Sequence, residues 1–264
     1  MGNPSNPQSY KYKLTLAYDG TNYSGWQIQP NALTIQEILQ DKLEVILRTK
    51  TTATGAGRTD AGVHAVGQVA HFSYSEKLDL FRFLASINGL LPKDIRVKKA
   101  ESVPEDFHAR YSVINKAYHY HLNLGFVQDP FTRLYSWHIT GKINLDVMRE
   151  CAKLFVGTHD FTSFANEPNA GAVSRNPVRT LKRLDIIPEK DGIRLEFESE
   201  SFLYKMVRNI TGVLVEVALG KRDLQEVSEI LEAKDRRKGG RAAPPQGLFL
   251  MHVDYANSDS SDVK

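Results

Sequence analysis

The sequence has one cysteine, Cys151, among 264 residues. A lone thiol excludes an intramolecular disulfide, a zinc ribbon and a dithiol redox site. No apolar run approaches the roughly 18 residues of a membrane-spanning helix, and Met1–Ser9 lacks the basic start and apolar stretch of a signal peptide. We therefore expect a reduced, cytoplasmic protein that is not embedded in a membrane.

Strong charge of either sign is also missing. Thirty-four Lys and Arg residues against 31 Asp and Glu residues leave a net charge of +3, which is too small to identify a polyanionic partner. With 41% hydrophobic and 25% charged residues, the composition is that of a folded globular chain. The length predicts one large or two modest domains.

Hydrophobic periodicity predicts a β, α, β, α, β order in the first half and a loose repeat of it in the second. Expected strands cover 11–18, 67–74, 95–100, 116–124, 181–187, 193–198 and 248–253; expected helices cover 34–48, 78–91, 144–155 and 202–220, with a shorter helix after the last. We predict an α+β protein with mostly antiparallel sheets. Its domains would span 10–104 and 105–256, with flexible ends at 1–9 and 257–264.

A glycine-punctuated segment, Gly55–His64, contains a single acidic residue, Asp60. A dinucleotide fingerprint does not fit, because Asp60 stands where that motif needs glycine. A Walker A motif does not fit either, because Val63–His64 stands where it needs lysine followed by serine or threonine. The segment predicts a turn that presents one carboxylate flanked by Arg58 and His64. A structural turn capped by Asp60 is the alternative.

An aromatic and basic strip, Phe107–Gln128, contains no Asp or Glu. Such a strip suits RNA, because aromatic rings stack on unpaired bases and cations meet phosphates. Ordinary sheet packing is the alternative, since strand alternation puts Tyr118 and Tyr120 on one face. His119 and His121 share the other face, but they lack a third ligand at recognisable spacing, so we predict no metal site.

Two further basic clusters indicate a polyanion site, with a solvated charged surface as the alternative. They are Arg175, Arg179, Lys182 and Arg183, and Lys234, Arg236, Arg237, Lys238 and Arg241.

The predicted 202–220 helix has a second face, opposite its apolar stripe. That face is expected to carry Lys205, Arg208, Asn209, Gly212 and Glu216. Arg208 could then reach another element, and if it met Asp60 it would favour the ionised carboxylate and fix its orientation. An unremarkable charged helix surface is the alternative.

Six ordered motifs across nearly the whole chain resemble the tRNA pseudouridine synthase A family. They are Asp19–Gln27 (DGTNYSGWQ), Gly57–His64 (GRTDAGVH), Asn115–Tyr120 (NKAYHY), His159–Phe164 (HDFTSF), Phe202–Gly212 (FLYKMVRNITG) and Pro244–Leu248 (PPQGL). The resemblance implies an enzyme that isomerises uridine to pseudouridine at positions 38, 39 and 40 of the tRNA anticodon stem-loop.

The resemblance also implies roles for individual residues. Asp60 would be the essential aspartate, Tyr118 would stack on the target uracil, Arg208 would pair with Asp60, and Arg58 would enter the RNA helix as the base flips. The reaction would use no redox cofactor and no metal. Whether Asp60 attacks the base, attacks the sugar or stabilises an eliminated intermediate stays open.

The family further implies two ferredoxin-like halves with the active cleft between them, and a homodimer in which one tRNA contacts both subunits. Lys205 departs from the family pattern, which often has histidine there, and we hypothesise that it contacts a phosphate. Two other classes of function remain alternatives. They are a non-catalytic RNA-binding module and a glycoside hydrolase, although the latter needs two carboxylates and the Asp60 segment offers one.

Overall fold

The structure is a computed structural model, and it describes residues 9–166 and 176–256. The ends expected to be flexible, 1–9 and 257–264, lie outside the described residues apart from Ser9, as does Arg175 of the first basic cluster. The described chain forms two compact units. The first contains residues up to Ile114 and from Leu250 onward, and the second contains Asn115–Phe249.

The first unit follows the predicted order of strands and helices. Its elements are β1 (Tyr10–Tyr18), α1 (Ile35–Leu47), β2 (Thr54–Gly55), β3 (His64–Tyr74), α2 (Leu80–Leu90) and β4 (Ile95–Val103). Strand β1 lies between β4 and β3 and is antiparallel to both, and β2 is antiparallel to β3. Along the sheet, β4, β1 and β3 are therefore consecutive, and the two-residue β2 is an additional partner of β3.

Local sequence explains these elements. Alternate residues of β1, including Tyr12, Leu14 and Leu16, are buried, as the period of two predicted. Helix α1 begins where expected, because the Thr34 hydroxyl accepts a hydrogen bond from the Glu37 N–H. Helix α2 ends just before Pro92, which cannot continue a helix.

The second unit adds a longer antiparallel sheet. Its elements are β5 (Val113–Asn123), β6 (Trp137–His138), α3 (Leu145–Lys153), β7 (Gly157–Asp160), β8 (Val178–Glu189), β9 (Gly192–Ser199), α4 (Met206–Ala218) and α5 (Leu224–Ala233). The order is β5-β9-β8-β7, all antiparallel, while the short β6 is parallel to β5. The last strand, β10 (Leu248–Tyr255), lies beside β3 of the first unit.

Helix α4 corrects two expectations. It begins at Met206 rather than at 202, because Lys205 has a left-handed backbone with φ of 61° and interrupts helical geometry there. The face opposite its apolar stripe is not the charged helix surface of the alternative interpretation, since Asn209 and Gly212 are buried. A Cβ added to Gly212 would lie 2.0 Å from the Arg241 carbonyl oxygen, so that face is covered by neighbouring backbone.

Within residues 9–166 and 176–256, every helix is too short or too polar to cross a membrane. Over the same ranges, no three His, Cys, Asp or Glu side chains are grouped so that they could hold a metal ion.

Candidate active site

Asp60 lies in the loop that connects β2 to β3 in the first unit. Its side chain is half-buried, and its carbonyl oxygen accepts a hydrogen bond from the Val63 N–H at 3.1 Å. Gly62 follows with φ of 75°, a conformation that glycine adopts without strain. The loop is thus a tight turn that presents one carboxylate.

The segment 19–27 clamps this loop from one side. The Trp26 N–H donates to the Thr59 carbonyl at 3.1 Å, and the Gly62 N–H donates to the Tyr23 carbonyl at 3.2 Å. Gly25 has φ of 88°, and a Cβ there would lie 2.4 Å from the Thr59 oxygen. The first two motifs of the sequence therefore form one structural element around Asp60.

Side chains of β1 and β3 also form hydrogen bonds with the loop. The Tyr18 hydroxyl lies 2.9 Å from the Thr59 hydroxyl, and the Gln68 amide donates to the Gly57 carbonyl at 2.9 Å. Burial raises the pKa of Tyr18 to about 12, so the phenol stays protonated and neutral. Neutral hydrogen bonds thus hold the Gly57 carbonyl and the Thr59 side chain, on either side of Arg58.

His64, which flanks Asp60 in the sequence, is buried and has a structural position. Its ring is 1% exposed, and its Nδ1 atom accepts a hydrogen bond from the Gly20 N–H at 3.0 Å. The Asp19 carboxylate lies 3.1 Å from the same nitrogen. His64 therefore fastens the end of the loop to the Asp19–Gly20 turn.

Arg58 extends from the loop into solvent. The side chain is exposed, and its Nε atom donates to the Gln27 side-chain oxygen at 3.3 Å. The guanidinium is available to a ligand at low cost, since a single exposed hydrogen bond restrains it.

Tyr118 and Arg208 belong to the second unit. Tyr118 lies on β5 opposite Phe197 of β9, is 8% exposed, and meets the Phe202 ring edge-on at a centroid distance of 5.1 Å. Arg208 lies in the first turn of α4, where its Nε atom donates to the Ala243 carbonyl at 2.8 Å. The Ala243 N–H returns a hydrogen bond to the Arg208 carbonyl at 2.9 Å.

The motif that ends at Leu248 packs on this same region. The Tyr120 hydroxyl donates to the Pro244 carbonyl at 2.7 Å, and a Cβ on Gly247 would lie 2.7 Å from the Tyr120 ring. Burial raises the pKa of Tyr120, and the Arg208 guanidinium acts in the opposite direction. The structure thus brings the Arg208 motif, the β5 tyrosines and the 244–248 segment together within the second unit.

Arg236 is a structural residue that sequence reasoning placed only in a basic cluster. Its guanidinium donates to the Asn166 and Asn209 side chains at 3.1 and 2.9 Å and to the Gly240 carbonyl at 2.9 Å. Asn209 in turn donates to the Phe164 carbonyl at 2.7 Å. The HDFTSF motif and α4 are joined through this network, whose partners are too far apart in sequence to reveal it.

The aromatic strip divides between core and surface. Tyr118 and Tyr120 pack inside the second unit, as the sheet-packing alternative predicted. On the opposite face His119 and His121 lie 3.6 and 2.9 Å from the carboxylates of Glu196 and Glu189. This strand face therefore has acidic neighbours on β8 and β9, although the strip itself contains no acidic residue.

The basic clusters are also partly neutralised. Arg183 contacts three carboxylates, at 2.5 to 3.0 Å. Lys234 lies 3.5 Å from Asp160, and Arg237 lies 2.7 Å from Asp235. Net charge along the sequence therefore overstates the positive potential of both clusters.

Comparison with known proteins gives consistent results. A family model described as tRNA pseudouridine synthase matches residues 15–112 and 151–256. The tRNA pseudouridine synthase A 1 of Protochlamydia amoebophila (strain UWE25) is 58% identical over 249 residues, which cover 94% of this chain and 97% of that protein. The tRNA pseudouridine synthase A of Chlamydia muridarum (strain MoPn / Nigg) is 47% identical over 248 residues, covering 93% and 92%.

Among solved structures, the archaeal box H/ACA sRNP Nop10-Cbf5 complex aligns with a TM-score of 0.34 at 11% identity. The alignment covers 89% of this chain and 58% of that chain.

Proposed function

The chain belongs to the tRNA pseudouridine synthase family, and on that premise we propose that it converts uridine to pseudouridine at positions 38, 39 and 40 of the tRNA anticodon stem-loop. The observation that carries the proposal is the clamped loop around Asp60. Two motifs of the family resemblance build that loop, and they fix the backbone on both sides of one carboxylate.

The proposed chemistry suits this arrangement. The N1–C1′ bond of uridine breaks, the uracil turns, and a C5–C1′ bond forms. The proton at C5 then leaves and N1 gains a proton, so the product is an isomer and no electrons are exchanged. Such a reaction requires an extruded base and one carboxylate, without a redox cofactor or a metal.

We assign the carboxylate role to Asp60. A loop held by backbone hydrogen bonds presents its side chain in a fixed direction, which lowers the cost of reaching the reactive geometry. The same carboxylate can act first as nucleophile or electrostatic stabiliser and then as the base that takes the C5 proton.

We assign supporting roles to three further residues by family resemblance. Arg208 would pair with Asp60 and orient it, Tyr118 would stack on the uracil, and Arg58 would enter the RNA helix. Arg58 fits its role because its side chain is exposed beside Asp60 in sequence. Arg208 fits its role because the Ala243 carbonyl orients its guanidinium.

Lys205 is proposed to contact a phosphate. Its ammonium group lies 5.2 Å from the centroid of the Tyr204 ring, and that ring is 46% exposed. Unchanged salt dependence of tRNA binding in a Lys205→His variant would contradict this hypothesis.

We also propose that both units are variants of the ferredoxin-like fold. The first unit supports this with a β, α, β, β, α, β element order and with antiparallel pairing of β1 with β4 and β3 and of β3 with the short β2, while β10 also lies beside β3. The second unit has the short β6 before α3 and three consecutive strands, β7, β8 and β9, where the simple fold has two. Its assignment therefore requires two added strands and takes β10, which lies mostly in the first unit, as the last strand. The active cleft would lie between the two halves. A homodimer acting on cytoplasmic tRNA completes the proposal.

The position of the product tests this function. The pure protein would be incubated with tRNA transcripts that carry uridine at positions 38, 39 and 40, and pseudouridine would be mapped along the RNA. We expect product at those positions. Product confined to other uridines would contradict the proposed sites, and no product would contradict the activity itself.

A further inference from the structure

An exposed aromatic side chain, Tyr111, stands on a turn of the first unit, in the part of the aromatic strip that precedes β5. It is 77% exposed, and one face of its ring lies against His108 at a centroid distance of 4.3 Å and an interplanar angle of 31°. Its exposure shows that most of the side chain's surface is accessible to solvent. The Arg110 guanidinium lies 5.7 Å from the ring centroid.

Hydrogen bonds make this turn rigid. The His108 Nδ1 atom accepts from the N–H groups of Arg110 and Tyr111 at 3.1 and 3.3 Å. The Ser112 hydroxyl accepts from the His108 N–H at 3.0 Å, and the Ser112 N–H donates to the His108 carbonyl at 2.9 Å. Two donors on Nδ1 require that nitrogen to be unprotonated, so the imidazole is neutral.

The turn is also fastened to the sheet of the first unit. The Ala109 N–H donates to Nδ1 of buried His71 on β3 at 3.2 Å, and its carbonyl accepts from the Tyr255 hydroxyl on β10 at 2.7 Å. The Lys11 ammonium on β1 donates to the Phe107 carbonyl at 3.0 Å. Three strands therefore hold a turn whose outermost group is an aromatic ring.

Holding an exposed ring on a rigid turn lowers the entropic cost of binding a ligand to it. An aromatic side chain whose backbone is already ordered loses little conformational entropy when it binds a ligand. Every nucleobase has a face that stacks on an aromatic ring, and an adjacent arginine adds attraction for the phosphate. The strip from Phe107 to Gln128 contains no acidic residue that would oppose it.

We propose that Tyr111 and Arg110 form a nucleobase-stacking site for an unpaired base of the RNA substrate, separate from the Asp60 loop. This inference rests on the proposed function, because RNA is the ligand that it specifies. The exposed Tyr111 ring stacks on the base, and Arg110 contacts the neighbouring phosphate. Tyr118, to which we assign the target uracil, and the buried Tyr120 lie outside this second site.

The test compares steady-state kinetics of full-length Tyr111→Ala, Tyr111→Phe and the parent protein, with tRNA transcript tritiated at uridine C5 as the probe. We expect KM for Tyr111→Ala to rise about tenfold, equivalent to about 1.4 kcal/mol, with most of the effect on KM rather than kcat. Tyr111→Phe keeps the ring and restores the parent KM. Phe81→Ala is the matched control, because Phe81 is 84% exposed in the same unit and outside the strip.

The outcomes separate this proposal from the function on which it rests. If the parent protein releases no tritium, the proposed function fails. If the parent is active and Tyr111→Ala keeps its KM, the stacking site alone is wrong. An equal rise in KM for Phe81→Ala would also overturn the site. A changed sedimentation coefficient of Tyr111→Ala with an unchanged KM would overturn the site as well, because it would indicate that Tyr111 contacts another protein chain.

Discussion

At the residue scale, the position of Asp60 depends on glycine at places where no other residue fits. Gly25 combines a positive φ with an approach to the Thr59 carbonyl that leaves no room for a side chain. The residue that holds the loop is therefore distant in sequence from Asp60, to which we assign the chemistry.

Replacing Gly25 with alanine tests this dependence. We expect Gly25→Ala to lower the free energy of unfolding by about 1–3 kcal/mol, because the backbone is strained and the new Cβ displaces Thr59. Its kcat should fall as well, since Asp60 follows Thr59. Urea unfolding and tritium release measure the two effects.

Gly89→Ala provides the control. Gly89 lies in α2, and a Cβ there meets nothing within 4 Å. Alanine in a helix should raise the free energy of unfolding by about 0.5–1 kcal/mol and leave kcat unchanged. Equal behaviour of the two variants would contradict the role given to Gly25.

His71 gives a second prediction at this scale. Burial lowers the pKa of His71 to about 4, and the nearby His108 and Lys11 side chains add to the effect. Between this value and the usual value of about 6.5, the unfolded chain binds a proton that the folded chain does not. The free energy of unfolding should therefore fall as the pH drops from about 6.5 to about 4, by up to about 3 kcal/mol.

Urea unfolding over this pH range measures that loss, and the NMR titration of the His71 ring measures its pKa. A His71→Gln variant lacks the linked proton and should show a flatter profile. An imidazole that titrates near 6.5 in the folded protein would contradict the prediction.

At the element scale, helix α4 connects several motifs of the second unit. Arg208 near its start contacts Ala243, and Asn209 beside it joins the Arg236 network. Sequence periodicity predicted the helix, and its C-terminal part is confirmed. It could not predict that both faces are buried, because the Arg241–Ala243 segment that covers the second face follows much later in the sequence.

Arg236 and Arg237 form a matched pair for testing this network. We expect Arg236→Met to lower the free energy of unfolding by about 1–3 kcal/mol, because it leaves buried acceptors without donors. Arg237→Met should change stability little, since Arg237 is 89% exposed and its visible ion pair is with Asp235. Thermal and urea unfolding measure the stability of both variants. An equal loss of stability in Arg236→Met and Arg237→Met would contradict the role given to Arg236.

At the scale of the whole molecule, much of the fold follows from local sequence. Periodicity predicted the main helices and strands, and the structure confirms them within a few residues. In the structure the Thr34 and Asn144 side chains cap two of these helices. The family was recognisable from ordered motifs, and the comparisons confirm it.

The contacts that build the candidate site were not predictable in the same way. The hydrogen bond from the Trp26 N–H to the Thr59 carbonyl joins backbone atoms, and backbone groups leave no mark on residue type. The role of buried His64 was missed because a histidine beside an acidic loop has the same sequence pattern whether it is structural or functional. Contacts between residues distant in sequence, such as that of His64 with Gly20, distinguish the two roles.

The central claim is that one carboxylate, Asp60, isomerises uridine in tRNA. Its most direct test is incubation of tRNA tritiated at uridine C5 with the parent protein and with Asp60→Asn, which preserves side-chain shape but removes the charge. The account predicts release of tritium to water by the parent protein and none by the variant. Release by both proteins, or formation of free tritiated uracil in place of released tritium, would contradict it.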